Sequence, residues 1–192
     1  MRQDFLNSLK SFYSKYRRLP SYSEMLKLFG FASKKAVFDV IQRLTEEGFL
    51  NKNNRKLSPT SSFFAIPLYG VVKAGYPILT EENKQYLTLD EYLIEDPVSS
   101  FLLKVSGDSL FDIGIFDGDI VIIERKKEAK PGDIVLAEID NEWTLKILRR
   151  DRKRQVLYLE AANDKYPPFY PKRELKIYGV VKASVRKFER MN

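Results

Sequence analysis

The sequence has no histidine and no cysteine. Without histidine the chain cannot build a Ser-His-Asp triad, a Cys-His pair or a histidine-ligated metal site. Without cysteine it has no disulfide framework and no thiolate metal site, which fits a reducing cytoplasm. Long apolar runs are missing too. No stretch approaches the roughly 20 apolar residues of a membrane span, and Met1-Arg2-Gln3-Asp4 lacks the apolar core of a signal peptide. A cytoplasmic protein with no membrane attachment and no metal is expected. Any hydrolytic chemistry must draw its base from lysine or a carboxylate.

What is present is ordinary in bulk and uneven in placement. Of 192 residues, 44% are hydrophobic and 31% charged, the balance of a globular protein with one domain or two small ones. The net charge is +7, with 12 Lys/Arg against 5 Asp/Glu in residues 1–60 and 21 of each in the remainder. A basic first third joined to a neutral rest points to a nucleic-acid-binding module with a separate partner domain.

Within that basic third, Phe5, Leu6, Leu9, Phe12, Tyr13 and Tyr16 recur at helical spacing, so residues 3–16 should form an amphipathic helix. Ser21 with Glu24 three residues on reads as a capping box opening a second helix, which Gly30 should stop. Ser33 can cap a third helix running to Glu47, with Val37, Val40, Ile41 and Leu44 as its buried stripe. A turn of about 100° per residue sets Lys35, Asp39, Gln42 and Glu46 opposite that stripe, with Lys34 and Phe38 at one edge.

Two short helices behind a supporting one describe a helix-turn-helix. In a major groove, Ser33, Lys34 and Lys35 would reach phosphates or guanine edges, Phe38 a thymine methyl, and Asp39 and Gln42 would share the exposed face. Phe49 to Leu57 then reads as a hairpin turning at Asn53-Asn54, with Lys52, Arg55 and Lys56 near its tip for phosphate contact. The polar run Ser58 to Ser62 is a natural boundary. The plain alternative is a three-helix bundle whose polar face is only solvated.

Beyond it, Ala74-Gly75 gives the smallest side chains of an extended, apolar stretch from Phe63 to Leu79. From Phe101 onward, short strands are expected at Phe101–Val105, Asp119–Glu124, Asp133–Ile139, Trp143–Leu148, Val156–Glu160 and Tyr178–Val185, separated by turns and without helices. That pattern describes a mostly antiparallel β domain. Ser109 lies in a glycine-flanked turn, and Lys146 stands in an apolar strand where desolvation would lower its pKa. Taken singly, a turn serine, a strand lysine that snorkels to solvent and an Ala-Gly pair are all commonplace.

In order along the chain, the fragments resemble the LexA family of self-cleaving SOS repressors. The resemblance rests on Leu19-Pro20-Ser21, Gly30-Phe31, Gly48-Phe49-Leu50, Ala74-Gly75, Val105-Ser106-Gly107-Asp108-Ser109, Asp112-Ile113-Gly114-Ile115, Asp117-Gly118-Asp119 and Thr144-Leu145-Lys146. The separations of 35 residues from Ala74 to Ser109 and 37 from Ser109 to Lys146 are similar to the family's.

The resemblance implies an α+β two-domain fold: a winged helix-turn-helix over 1–60, a linker over 61–70, and a mostly antiparallel β peptidase and dimerisation domain over 71–192. It implies a catalytic dyad of Ser109 as nucleophile and Lys146 as general base, with backbone donors at Asp108 and Ser109 for the oxyanion. The bond cut would be Ala74–Gly75, and no small-molecule cofactor is implied. The partners would be double-stranded operator DNA, a RecA–single-stranded-DNA filament that favours cleavage, and a second copy bound through the C-terminal domain. Asp108 and Leu110 stand where methionines are usual, and Lys73 where a small apolar residue is common. An acid beside Ser109 would lower the local potential or help hold Lys146 charged at rest. A phage- or mobile-element-type repressor with another regulon, or a repressor with a slow or decayed peptidase, would carry the same features.

Overall fold

A computed structural model describes residues 2–53, 56–68, 85–125 and 128–188. They fall into two compact units, 1–92 and 93–192.

The first unit begins with α1 (Arg2–Tyr16), α2 (Tyr22–Phe29) and α3 (Lys34–Glu46). The capping box forms: Ser21 Oγ accepts from the Glu24 N–H at 3.3 Å, and the Glu24 carboxylate accepts from the Ser21 N–H at 2.8 Å. Arg18 grips the same carboxylate with two donors at 2.7 and 2.9 Å, which holds it well below the usual carboxylate range. Gly30 ends α2 in the left-handed region, at φ 68°, where only glycine is unstrained. Ser33 Oγ caps α3 by accepting from the Ala36 N–H. Val37, Ile41 and Leu44 of α3 meet Leu6, Leu9 and Met25 in one core. Val40, expected within that stripe, sits partly buried at its edge.

Strands β1 (Leu50–Asn53) and β2 (Lys56–Pro59) pair antiparallel, closing between Asn53 and Lys56. The next residues correct the expected 61–70 linker. Ser61–Phe64 is a helical turn, α4, and Phe63 is only 1% exposed within the core of α1 to α3. Burying that ring ties the stretch to the first unit, so the boundary between units falls at Tyr92/Leu93 instead. Strand β3 (Ile66–Leu68) pairs with β4 (Gln85–Leu87), ahead of α5 (Leu89–Leu93).

The second unit is one six-stranded sheet whose pairings are all antiparallel among the described residues. Its strands are β5 (Ser100–Lys104), β6 (Ile120–Glu124), β7 (Ile134–Ile139), β8 (Glu142–Asp151), β9 (Val156–Glu160) and β10 (Leu175–Val185), in the order β5-β6-β10-β7-β8-β9. Strand β8 overruns the expected Trp143–Leu148, because Arg149, Arg150 and Asp151 keep pairing with Tyr158, Leu157 and Val156. One cluster holds Val105, Leu110, Ile115, Val121, Ile123, Leu136 and Ile147, and a second holds Val135, Ala137, Leu148, Leu159 and Val180. Gly179 of β10 lies at a break in the pairing register with β7. A Cβ there would sit 2.6 Å from Ile123 Cγ2 and 2.8 Å from the Glu124 carbonyl oxygen, so β6 and β10 come this close only over glycine.

Candidate functional site

The chain leaves β5 into a tight turn stitched by its own backbone. The Val105 N–H donates to the Asp119 carbonyl at 2.8 Å, the Gly118 N–H to the Val105 carbonyl at 3.0 Å, and the Gly107 N–H to the Asp117 carboxylate at 2.8 Å. Gly107 takes φ 95°, which turns the chain so that Ser109 is presented at the end of the sheet. Leu110, 2% exposed, anchors the turn in the core, and a 3-10 turn over Phe111–Ile113 follows.

Separated from β6 by β10 and β7, β8 presents Lys146. Its side chain is 7% exposed, and its Nζ donates to Ser109 Oγ at 2.9 Å, Thr144 Oγ1 at 2.8 Å and the Leu145 carbonyl at 3.1 Å. The Phe169 ring lies 5.7 Å from the same nitrogen. Burial pushes the ammonium below its ordinary value. Three neutral acceptors suit an ammonium's three donors. A neutral amine also fits, since it can donate to Thr144 and the Leu145 carbonyl while its lone pair accepts the Ser109 O–H. The site can therefore hold both protonation states that a proton-transferring lysine passes through.

A cavity of about 200 Å³ opens beside the pair, lined by Leu103, Val105, Ser109, Leu136, Trp143 and Lys146 among others. Its walls mix Leu103, Val105, Leu110, Leu136 and Trp143 with the polar Lys104, Ser106 and Thr144 beside the pair.

Asp108 does not face Lys146. Its carboxylate accepts from the Tyr166 hydroxyl and from Lys165 Nζ, the latter at 3.2 Å, and both interactions hold it below its ordinary pKa. The expectation that this acid keeps Lys146 charged is thus corrected. The loop after β9 supplies two cationic or hydroxylic partners on the far side of the turn, and the carboxylate follows them.

Several residues at the site carry weak sequence signals. Thr144 could have been found, because it lies two residues before Lys146 and so on the same strand face. Asp119 is 2% exposed and held bidentately by Arg186, Nε to Oδ1 and Nη2 to Oδ2, both at 2.6 Å. Arg186 also donates to the Gly114 carbonyl at 2.8 Å, and its guanidinium lies 3.9 Å from the Phe116 ring centre. The Asp119 carboxyl is pushed down to about 2, chiefly by Arg186. With the partners 67 positions apart in sequence, nothing local announces the pair.

In the first unit, Ser33, Lys34, Lys35, Phe38, Asp39 and Gln42 are all exposed, on or just before α3. Gln42 Nε2 donates to Glu46 at 3.0 Å. Lys52 and Lys56 are exposed on the β1–β2 hairpin, and Lys52 Nζ stands 4.7 Å from the Phe38 ring, which brings hairpin and helix to one surface. Arg55, Lys73, Ala74 and Gly75 lie outside the described residues.

Residues 67–182 match the family model for Peptidase S24-like proteins. The chain is 32% identical over 178 residues to a LexA repressor of Carboxydothermus hydrogenoformans, covering 88% of this chain and 87% of that protein. It is 34% identical over 178 residues to a LexA repressor of Clostridium botulinum, with the same coverage of 88% and 87%. A LexA repressor of Shewanella frigidimarina is 33% identical over 156 residues, covering 78% of this chain and 75% of that protein. With a Peptidase S24-like region spanning its serine–lysine pair and relatives matched over most of their length, the chain belongs to the LexA repressor family.

Proposed function

We propose that this chain is a DNA-binding transcriptional repressor of the DNA-damage (SOS) response that inactivates itself by cutting its Ala74–Gly75 bond. The observation that carries the reading is the 2.9 Å contact between Ser109 Oγ and a 7% exposed Lys146 in a sequence with no histidine. Ser109 Oγ attacks the Ala74 carbonyl carbon while its proton passes to the neutral Lys146 amine. The backbone N–H groups of Asp108 and Ser109 donate to the developing oxyanion. The resulting ammonium protonates the Gly75 nitrogen as the peptide bond breaks, leaving residue 74 as an ester on Ser109. Water, deprotonated by the same lysine, then hydrolyses that ester. Tethering substrate and nucleophile in one chain supplies effective concentration, so the cavity beside the pair need not bind strongly.

The first unit is read as a winged helix-turn-helix. Here α3 enters the major groove with Lys34, Lys35, Phe38, Asp39 and Gln42, and Ser33 at its N-terminus meets a phosphate. The β1–β2 hairpin is the wing, with Lys52, Arg55 and Lys56 on the backbone phosphates. The second unit pairs two copies so that half-sites are held together. A RecA–single-stranded-DNA filament stabilises the cleavable arrangement, and cutting between 74 and 75 separates paired recognition from pairing.

The test is incubation of the full chain at alkaline pH or with activated RecA filament. Two fragments meeting at 74–75 are expected, and Ser109→Ala and Lys146→Ala should each abolish them. A chain that stays intact under both conditions sinks the cleavage reading. For DNA, Lys35→Ala should weaken operator binding, and Lys56→Ala should weaken binding to all sequences with a salt slope about one unit shallower. Unchanged binding by both variants would move the contact surface elsewhere.

A further inference from the structure

The nucleophile turn is held from outside the sheet by the loop that follows β9. The Ala162 N–H donates to the Ser109 carbonyl at 2.8 Å, and the Asp112 N–H donates back to the Ala162 carbonyl at 2.9 Å. Asn163 Nδ2 donates to the Asp108 carbonyl at 2.8 Å. Tyr166 and Lys165 donate to the Asp108 carboxylate. The loop then returns to the sheet at Phe169, whose N–H and carbonyl both bond Leu159 of β9 at 2.7 and 3.0 Å, and its ring stands over Lys146. One loop of nine residues thus touches the residue before the nucleophile, the nucleophile's own carbonyl and the base.

The contacts are not equivalent. The two at Ala162 are backbone bonds available to any residue. Those from Asn163 and Tyr166 depend on side chains and converge on a single residue, Asp108, through its carbonyl and its carboxylate. Lys165 is three-quarters exposed, so its ion pair contributes little. The Tyr166 hydroxyl donates to a carboxylate, and a charge-assisted bond of this kind is stronger and more directional than a neutral one. Asp108 and Ser109 also supply the proposed oxyanion donors, so whatever fixes the torsion of Asp108 fixes both the nucleophile's aim and the hole it faces. None of this touches the reacting atoms.

We propose that Tyr166, with Asn163, is a positioning residue that locks the Ser109 turn through Asp108. The loop converts an acid beside the nucleophile, which would otherwise be free to approach Lys146, into the anchor of the turn. This deepens the cleavage reading above and rests on it. A misplacement of the attacking oxygen by about 1 Å costs on the order of 100-fold in rate, so a loosened turn should slow cleavage while the fold stays intact.

The experiment follows self-cleavage of the full chain from pH 7 to 11 for the unsubstituted protein, Ser109→Ala, Tyr166→Phe, Asp108→Ala, Asp108→Asn and the Tyr166→Phe/Asp108→Ala pair, with thermal unfolding of each. Tyr166→Phe removes one oxygen. It should cut the rate about 10- to 100-fold, leave the pH midpoint set by Lys146 where it was, and leave the unfolding temperature nearly unchanged. Asp108→Asn keeps an acceptor for the Tyr166 hydroxyl and should lose less than Asp108→Ala. The double variant should be no slower than Asp108→Ala alone, because both changes break one link. If the unsubstituted chain cleaves and Ser109→Ala does not, yet Tyr166→Phe cleaves at the full rate or its effect multiplies with that of Asp108→Ala, the positioning role is overturned and the dyad stands. If the unsubstituted chain fails to cleave, or Ser109→Ala still does, the underlying reading fails instead.

Discussion

Replacing Lys146 with methionine should disarm the protein and stabilise it at once. Lys146 is 7% exposed, and its ammonium donates to two hydroxyls and a carbonyl, with no carboxylate paired to it among the described residues. Burying an ion costs several kcal/mol even after relaxation, and exchanging buried ions for apolar groups of similar volume gains about 1–4 kcal/mol. Leaving the Ser109 and Thr144 hydroxyls without their donor returns about 1 kcal/mol of that. A net gain of about 0–3 kcal/mol is therefore expected at pH 7. For a unit of about 100 residues, each kcal/mol raises the unfolding temperature by about 4–8 °C.

The pH dependence fixes the sign. Burial lowers the lysine's pKa in the folded protein below the unfolded value of 10.5, so between the two values the unfolded chain binds more protons and folded stability rises with pH. The advantage of methionine is largest below the folded pKa and shrinks as pH climbs toward 10.5. Circular-dichroism melts from pH 7 to 10 would measure this, with Ser109→Ala and Ser109→Ala/Lys146→Met compared so that no chain cuts itself. Self-cleavage in the single Lys146→Met variant should fall by about 100- to 10,000-fold, the usual worth of a general base. In the unsubstituted protein it should rise about tenfold per pH unit below a midpoint under 10.5. A methionine variant that melts lower at pH 7, or a gain that grows with pH, would refute the account of Lys146 as a desolvated base.

Asp119→Asn removes the buried carboxylate of a pair whose Arg186 is one-third exposed and should cost about 1–3 kcal/mol, read by urea unfolding of the second unit. In the unsubstituted protein the stabilisation from this carboxylate is complete above its ordinary value of 3.8 and disappears as pH falls through about 2, a loss that acid titration followed by tryptophan fluorescence should resolve. Gly179→Ala forces a methyl into contacts of 2.6 and 2.8 Å; a loss of about 1–3 kcal/mol is expected by the same unfolding measurement, with a slower cleavage rate if β6 shifts away from β10.

The parts legible in the sequence were those governed by near neighbours. Capping at Ser21 and Ser33, the stop at Gly30 and the stripe Val37, Ile41 and Leu44 each need only residues within a turn or two, and the structure places them as read. The strands were found but trimmed: β8 runs to Asp151 because its length depends on a partner strand, which periodicity does not report. Phe63 misled as part of a linker, because a four-residue helical turn is too short to carry a periodic signal, and only its packing among Leu6, Leu9, Met25 and the α3 stripe makes it core. At the site, Ser109 and Lys146 were singled out through resemblance and the lack of histidine. Tyr166, Asn163 and Arg186 escaped notice, since each acts across 55 or more residues through side-chain hydrogen bonds to a turn.

Strand order has a consequence for how the protein is made. The turn bearing Ser109 belongs to the β5–β6 half of the sheet, and Lys146 to the β7–β8–β9 half; within the sheet, only β10 joins them. Among the described residues, that strand is the last of the six in chain order. A polypeptide leaving the ribosome holds both chemical groups long before residues 175–185 emerge, but not the ladder that brings the halves together. Self-cleavage of the newborn chain should therefore wait until β10 has been made and paired.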